Sequence, residues 1–299
     1  MTIHEAQQHV LVQLEGRYEK GEASAITNLV LENITDRKKI DRIIHKQEFL
    51  SPAQVERIES YARDLGRGRP VQYVLQESWF CGLKFYVDEN VLIPRPETEE
   101  LVNWIVEDVH ENQPLDGRTS PAPPSTFSGT ILDVGSGSGC IPVALKKKLG
   151  HASVFSCDVS EKALDVARRN AVFHKAEVHF LLLDFLRADQ ASQLPSCDII
   201  VSNPPYIPIS EKRSMPAHVT DFEPPLALFV QDDDPLIFYE AIAGFAAKRL
   251  LPGGSAYVEL HENLHAHVKK LFLQKNFSSV ALKKDLYGKN RMLKATLLP

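Results

Sequence analysis

The spacing of apolar and polar residues changes period along the chain. Over residues 1–69 the apolar positions recur every three or four residues, which places them on one face of a helix. "IHEAQQHVLVQLEGRYEKGEAS" follows this period and is expected to break at Gly21. "ASAITNLVLENIT" and "DRKKIDRIIHK" continue it. In "SPAQVERIESYARDLGRG", Val55, Ile58, Ala62 and Leu65 make one stripe. Ser51 and Gln54 there fit a capping box, Pro52 suits a first turn and Gly66 a stop. Over residues 70–96 the period shortens to two around Gly82 and the turn "DEN", which predicts a β-hairpin linker. "PRPETEELVNWIVEDVH" then opens a helix, with Thr98 as its expected cap. Residues 111–129 are rich in Pro and Ser and read as an exposed loop.

From residue 130 onward, strand-like and helix-like segments alternate. Strands are predicted at 130–134, 153–157, 178–183, 198–202, 255–260, 278–284 and 291–298. Helices are predicted at 139–149, 160–174, 235–250 and 262–275. This order predicts a seven-stranded, doubly wound α/β sheet of Rossmann-like type, with ligands at the strands' carboxyl ends. The last two strands are close in sequence, so a hairpin should put one antiparallel strand at the sheet's edge. The expected organisation is a helical domain (1–69), the hairpin linker (70–96) and the α/β domain (97–299).

Composition narrows the function classes. The 299 residues carry a formal net charge of −5, which argues against a protein that grips bulk nucleic acid through phosphates. "RKKIDR" and "KKK" at 146–148 read as solvated helix faces. The four cysteines form no C-x-x-C pair, which suggests reduced thiols in a cytoplasmic protein. The start "MTIHEAQQHV" lacks the features of a signal peptide, and no apolar run is long enough to span a membrane. His261 and His265 are four apart on an expected helix and read as a solvent-facing pair, so no metal is expected.

Candidate chemistry starts at "ILDVGSGSGCIPVAL" (131–145), a strand, a glycine loop and a helix start. Gly135, Gly137 and Gly139 allow a tight turn and close backbone approach to a ligand, and the helix's free N–H groups face it. Asp158 ends the next strand, where a carboxylate can accept from both hydroxyls of a ribose. Two cofactor classes compete, a dinucleotide and a nucleoside without a pyrophosphate. The spacing here is G-x-G-x-G rather than G-x-G-x-x-G. With Asp133, Ser136 and Ser138 it resembles the first motif of S-adenosylmethionine-dependent methyltransferases, in which the carboxylate orders the loop. Asp184 and Phe185 of "LLLDFL" fit a hydrogen bond to adenine and a contact with its ring.

"VSNPPYIP" (201–208) leaves a β-branched strand for a proline-stiffened loop. Placed beside the glycine loop, Asn203 and Pro204 offer two fixed acceptors, the Asn203 side-chain oxygen and the Pro204 carbonyl. A planar NH₂ group conjugated to a carbonyl or ring is a poor nucleophile, and two acceptors can orient it and bind it more tightly as it gains charge. Tyr206 can pack its ring against such a plane. The loop Asn203, Pro204, Pro205, Tyr206 resembles the signature of methyltransferases acting on adenine N6, guanine N2 or glutamine N5.

The whole chain resembles the bacterial glutamine-N5 methyltransferases of class-1 peptide-chain release factors, the PrmC or HemK family. The resemblance rests on "GRPVQYVL", "WFCGLKFYVDENVLIPRPETEELV", "ILDVGSGSGC", "VSNPPYIP", "DFEPPLALF" and "DLYGKNRML". It implies that Gly135 to Gly139, Asp158, Phe185 and Asn203 contact S-adenosylmethionine, and that Asn203 to Tyr206 hold the glutamine of the release factor's Gly-Gly-Gln loop. Arg95, Glu97 and Glu223 would shape the pocket or the docking face. A monomer without direct nucleic-acid binding is expected. The alternatives are a glutamine methyltransferase of a large-subunit ribosomal protein, a nucleic-acid adenine methyltransferase and a non-catalytic release-factor or ribosome binding module. "ELHENL", with Glu262, and "FVQDDDPLIFY", with its three aspartates, depart from the family pattern away from the expected transfer atoms.

Overall fold

The computed structural model describes residues 1–111 and 126–298 and divides into two compact units. The first comprises Met1–Glu77 with Met215–Phe222, the second Ser78–Ser214 with Glu223–Pro299. The division falls at Glu77 rather than at residue 69, because the segment after Pro70 packs with the helices before it.

The first unit holds α1 (Ile3–Leu14), α2 (Lys20–Thr35), α3 (Lys39–Ile44), α4 (Pro52–Gly66) and α5 (Val71–Leu75). α1 ends before Gly16 (φ +81°), and Gly21 lies in the first turn of α2, so the expected break at Gly21 is displaced. A glycine in a first turn costs little, because the N–H groups there have no intrahelical partner anyway. The capping box of α4 is present, with Ser51 Oγ accepting from Gln54 N at 3.3 Å. α5 replaces the expected start of a strand. Tyr73, Val74 and Leu75 are consecutive and all buried, which a half-exposed strand does not allow, and Val74 and Leu75 join the core of α1, α2 and α4.

The second unit begins with the hairpin β1 (Ser78–Phe80) and β2 (Leu83–Phe85), then α6 (Pro96–Glu111). Residues 112–125 of the expected Pro- and Ser-rich loop lie outside the described residues. The α/β part runs β3 (Thr130–Val134), α7 (Cys140–Lys148), β4 (Ser153–Asp158), α8 (Glu161–Phe173), β5 (His179–Leu182), α9 (Ala188–Ala191), β6 (Cys197–Ser202) and β7 (Ile207–Pro208). After α10 (Ala217–Thr220), which belongs to the first unit, come β8 (Phe229–Val230), α11 (Ile237–Arg249), β9 (Leu250–Glu259), α12 (His265–Gln274), β10 (Ser279–Lys284) and β11 (Asn290–Thr296).

The seven-stranded sheet has the order β10-β11-β9-β6-β3-β4-β5. Neighbours from β9 to β5 are parallel, while β11 is antiparallel to both β9 and β10. The antiparallel strand is therefore one place in from the edge, not at the edge, because the chain passes β9, forms β10 outermost and returns between them. Alternate residues serve the two faces. Leu132, Val134 and Ile200 pack with Tyr239, Ala243 and Phe272 of α11 and α12. Ile131, Ile199 and Val201 pack with Leu101, Ile105, Val143 and Leu145 of α6 and α7. Burial on both faces is why these strands read as continuous apolar runs.

Candidate active site

β3 lies between β4 and β6, so the chain leaves β3 toward one side of the sheet and returns on the other. The crevice at the carboxyl ends of these strands is where an open α/β sheet takes a ligand. The ends of β3 and β6 are tied together, as Ser202 Oγ donates to the Val134 carbonyl at 2.6 Å. A cavity of about 290 Å³ opens there, lined by Gly135 to Ser138, Cys157 to Ser160, Leu183 to Leu186 and Ser202 to Pro205. Asn90, Val91, Leu92, Pro94, Arg95 and Thr98 line it from the segment before and into α6, and Pro224, Leu226, Ala227 and Phe238 from beyond β7.

The glycine loop is held from two sides. Asp158 Oδ2 accepts the Gly137 N–H at 2.9 Å, and its Oδ1 accepts the Ser160 N–H at 2.9 Å. Burial nevertheless pushes the Asp158 carboxyl above its ordinary value. Gly135 has φ +89° with no atom near the position of a Cβ. Gly139 has a different duty: a Cβ there would come within 3.1 Å of Ala167, so it seats the start of α7 against α8 and does not line the cavity. Asp133 is fully buried beneath the loop, where burial pushes its carboxyl up to about 8. Its Oδ2 accepts from Ser156 Oγ at 2.6 Å, whereas Asp133 Oδ1 and Ser138 Oγ have no partner among the described residues. Ser138 lines the cavity, where its unused hydroxyl can donate to a carboxylate, whereas Asp133 lies under the loop outside the lining, so the expected contact of Asp133 with the cofactor is not formed. With the remaining acceptor capacity of Asp158 for hydroxyls, the donor set fits a nucleoside joined to an amino acid. Phe185 lines the cavity and leans on Phe245. Asp184 lines it too, its Oδ1 accepting from Leu186 N at 3.0 Å.

The Asn203 loop is oriented by residues remote in sequence. Asn203 Nδ2 donates to Thr98 Oγ1 at 3.0 Å, and Thr98 Oγ1 donates to Glu259 Oε2 at 2.6 Å. Tyr206 donates its hydroxyl to Glu259 Oε1 at 3.0 Å, which turns the phenol away from the cavity lining of Asn203, Pro204 and Pro205. The Tyr206 ring meets His261 edge-on at 6.0 Å between centroids. Glu259 is buried at the end of β9, and burial raises its carboxyl above the ordinary value. Thr98 is thus not a helix cap: it lies within α6 and serves this network.

Arg95 lines the cavity and pairs with Glu223, whose other oxygen accepts the Ile93 N–H at 3.2 Å. Glu223 is buried away from the cavity and fixes the segment that carries Arg95. Glu97 does not line the cavity, and its charge raises the Glu259 carboxyl further. His261 precedes α12 and is buried, with Nε2 at 3.1 Å from Glu211, so the expected solvent-facing pair is not formed. The departures from the family pattern have local partners. Glu262 pairs with Lys289 at 2.6 Å, and Asp232 accepts from Ser210 N at 2.9 Å. Sequence reasoning missed Thr98 and Glu259 as parts of the site. Their signal was a threonine in "RPETEE" and a lone acidic residue ending the apolar run "SAYVEL".

No helix among the described residues is long and apolar enough to cross a membrane. Residues 5–75 match the PrmC N-terminal domain, and residues 121–219 the methyltransferase small domain. A release factor glutamine methyltransferase of Flavobacterium psychrophilum is 38% identical over 98% of this chain and 99% of that protein. One of Bacteroides thetaiotaomicron is 38% identical over 96% of this chain and 97% of that protein. The solved 16S rRNA N2 G1207 methyltransferase of T. thermophilus, in complex with AdoMet and guanosine, shares the fold. Its TM-score is 0.52 at 18% identity, over 74% of this chain and 49% of that one. With a glycine loop, an Asn-Pro-Pro-Tyr loop and near full-length relatives at this identity, the chain belongs to the release factor glutamine methyltransferase family.

Proposed function

We propose that this chain transfers a methyl group from S-adenosylmethionine to N5 of the glutamine in the Gly-Gly-Gln loop of a class-1 peptide-chain release factor. The observation that carries the reading is Asn203. It lines the same cavity as the glycine loop, and its NH₂ is engaged by Thr98, which leaves Oδ1 as an acceptor for a substrate amide.

Ser136, Ser138 and the loop backbone, ordered from beneath by Asp133, would hold the amino-acid end of the cofactor, Asp158 its ribose, and Asp184 and Phe185 its adenine. When bound, the cofactor's sulfonium supplies an electrophilic methyl group. Asn203 Oδ1 and the Pro204 carbonyl accept the two N–H bonds of the glutamine amide and aim its nitrogen into the cavity. Positive charge develops on that nitrogen during transfer, so both acceptors bind it more tightly then than in the ground state. Leu226, Pro224 and Phe238 give the cavity an apolar wall that excludes water. No general base is required, because the methylated amide cation is strongly acidic and loses its proton to solvent. Tyr206 acts by holding Glu259, and Arg95 with Glu223 by holding the wall formed by Pro94 and Arg95. The four free cysteines fit a cytoplasmic enzyme.

The test mixes the purified chain, S-adenosylmethionine and each candidate substrate, then maps methyl groups by peptide mass spectrometry. A single methyl on the Gly-Gly-Gln glutamine is the expected result. A methyl on a ribosomal protein or a nucleic acid instead would keep the cavity chemistry and replace the partner.

A further inference from the structure

Glu259 ends β9, is buried, and divides its carboxylate between two hydroxyls. Oε2 accepts from Thr98 at 2.6 Å and Oε1 accepts from Tyr206 at 3.0 Å. Thr98 has a single hydroxyl proton. Once that proton is given to Glu259, the Thr98 oxygen can only accept. It accepts from Asn203 Nδ2 at 3.0 Å. The polarity therefore runs one way, from Asn203 through Thr98 to Glu259. Rotating the carboxylate away from Thr98 would also break the Tyr206 bond. The strand end is held as well, since the Tyr239 hydroxyl donates to the Glu259 carbonyl at 3.1 Å and accepts from His261 N at 3.2 Å. A glutamine at position 259 would not impose this direction. Its NH₂ could face Thr98, reverse the hydroxyl and draw the oxygen of Asn203 to Thr98 instead.

We infer that Glu259, acting through Thr98, is a positioning residue that locks the Asn203 amide with its oxygen toward the substrate and so selects a side chain that donates N–H bonds. The inference rests on the transfer reaction proposed above. A glutamine side chain meets the Asn203 oxygen with an N–H donor. An ionised glutamate side chain offers only acceptors and is refused by the same atom. An inverted Asn203 would set N–H against N–H and lose both the orientation and the discrimination.

The experiment compares wild type, Thr98→Val, Thr98→Ser and Glu259→Gln. Valine keeps the branched shape of threonine and removes the hydroxyl, while serine keeps the hydroxyl. Four quantities are measured: kcat and KM for a release factor, cofactor Kd by calorimetry, thermal unfolding, and affinity for release factor carrying Gln against Glu at the accepting position. Thr98→Val should lower kcat by about 10- to 100-fold and leave the cofactor Kd within about threefold. Thr98→Ser should recover kcat to within about threefold of wild type, as the bond is re-formed. The preference for Gln over Glu should narrow in Thr98→Val and in Glu259→Gln. If Thr98→Val does not fold, Glu259→Gln decides the question on the same readouts. Wild-type kcat and unchanged discrimination in the hydroxyl-free or amide variant would overturn the inference. So would a loss of kcat that serine does not recover, because it assigns Thr98 to packing alone. If wild type methylates a different substrate, the proposed function fails instead, and the variants are compared on that substrate.

Discussion

Two loops meet in the cavity, and they are built on opposite principles. The loop Gly135 to Gly139 is permissive: its glycines adopt positive φ, and no atom lies near where a Cβ of Gly135 or Gly137 would point. It is fixed by a carboxylate about twenty residues on, with Asp158 holding Gly137 at a sequence separation of 21. The loop Asn203 to Tyr206 is stiff by composition, yet its working atom is aimed by distant groups. Thr98 is 105 residues before Asn203, and Glu259 is 53 after Tyr206. The first loop presents backbone and so accepts a ligand of fixed shape. The second presents one side-chain oxygen, whose direction is a property of the packed sheet. Under the proposed function, binding the cofactor and choosing the substrate are therefore separable.

The sharpest separation is expected from Asn203→Ala. It should cut kcat by about two to three orders of magnitude, as loss of a transition-state partner does elsewhere, with cofactor affinity within about tenfold. Single-turnover rates and calorimetry check this, and a mutant with wild-type rate would merge the two loops' duties. Asp158→Ala should do the reverse, weakening cofactor binding by about 10- to 100-fold because a half-buried hydrogen-bonded carboxylate is lost and the loop is released. Titration calorimetry reads that change directly. Gly139→Ala combines positive φ with a Cβ within 3.1 Å of Ala167, so it should lower stability by about 1–3 kcal/mol in denaturant unfolding.

A further expected effect concerns pH. In the folded chain Asp133 holds its proton up to about 8, against an ordinary value of 3.8. Between these values the folded state binds a proton that the unfolded state has released, so stability falls as pH rises through this window. Its contribution is fully present below the ordinary carboxylate range and lost above the folded value. Asp133→Asn should flatten that fall, seen as a smaller drop in melting temperature between about pH 5 and about pH 8. Equal slopes for both proteins would place the titration elsewhere.

Much of this was legible because it is local. The seven strands, the glycine loop and the position of Asp158 follow from periodicity and from spacing within a single βαβ unit. The proline loop after β6 is legible for the same reason, since Pro204 and Pro205 cannot extend a strand. Short segments were less so. Residues 71–75 have the alternation of a strand and form a helix, because burial of three neighbours outweighs intrinsic preference.

By itself, the sequence determined the strands of the α/β sheet and the glycine and proline loops that follow two of them, because strand, turn and glycine chemistry act over a few neighbours. Only the tertiary structure decided that Tyr206 turns to Glu259, that Thr98 serves Asn203 rather than a helix end, and that β11 lies inside the sheet. The first two outcomes depend on hydrogen-bond partners brought together across 53 to 161 residues, and the third on the pairing of Met292 to Thr296 with Ser255 to Glu259. No period or spacing along a chain encodes the direction of a bond formed only when the strands are already side by side.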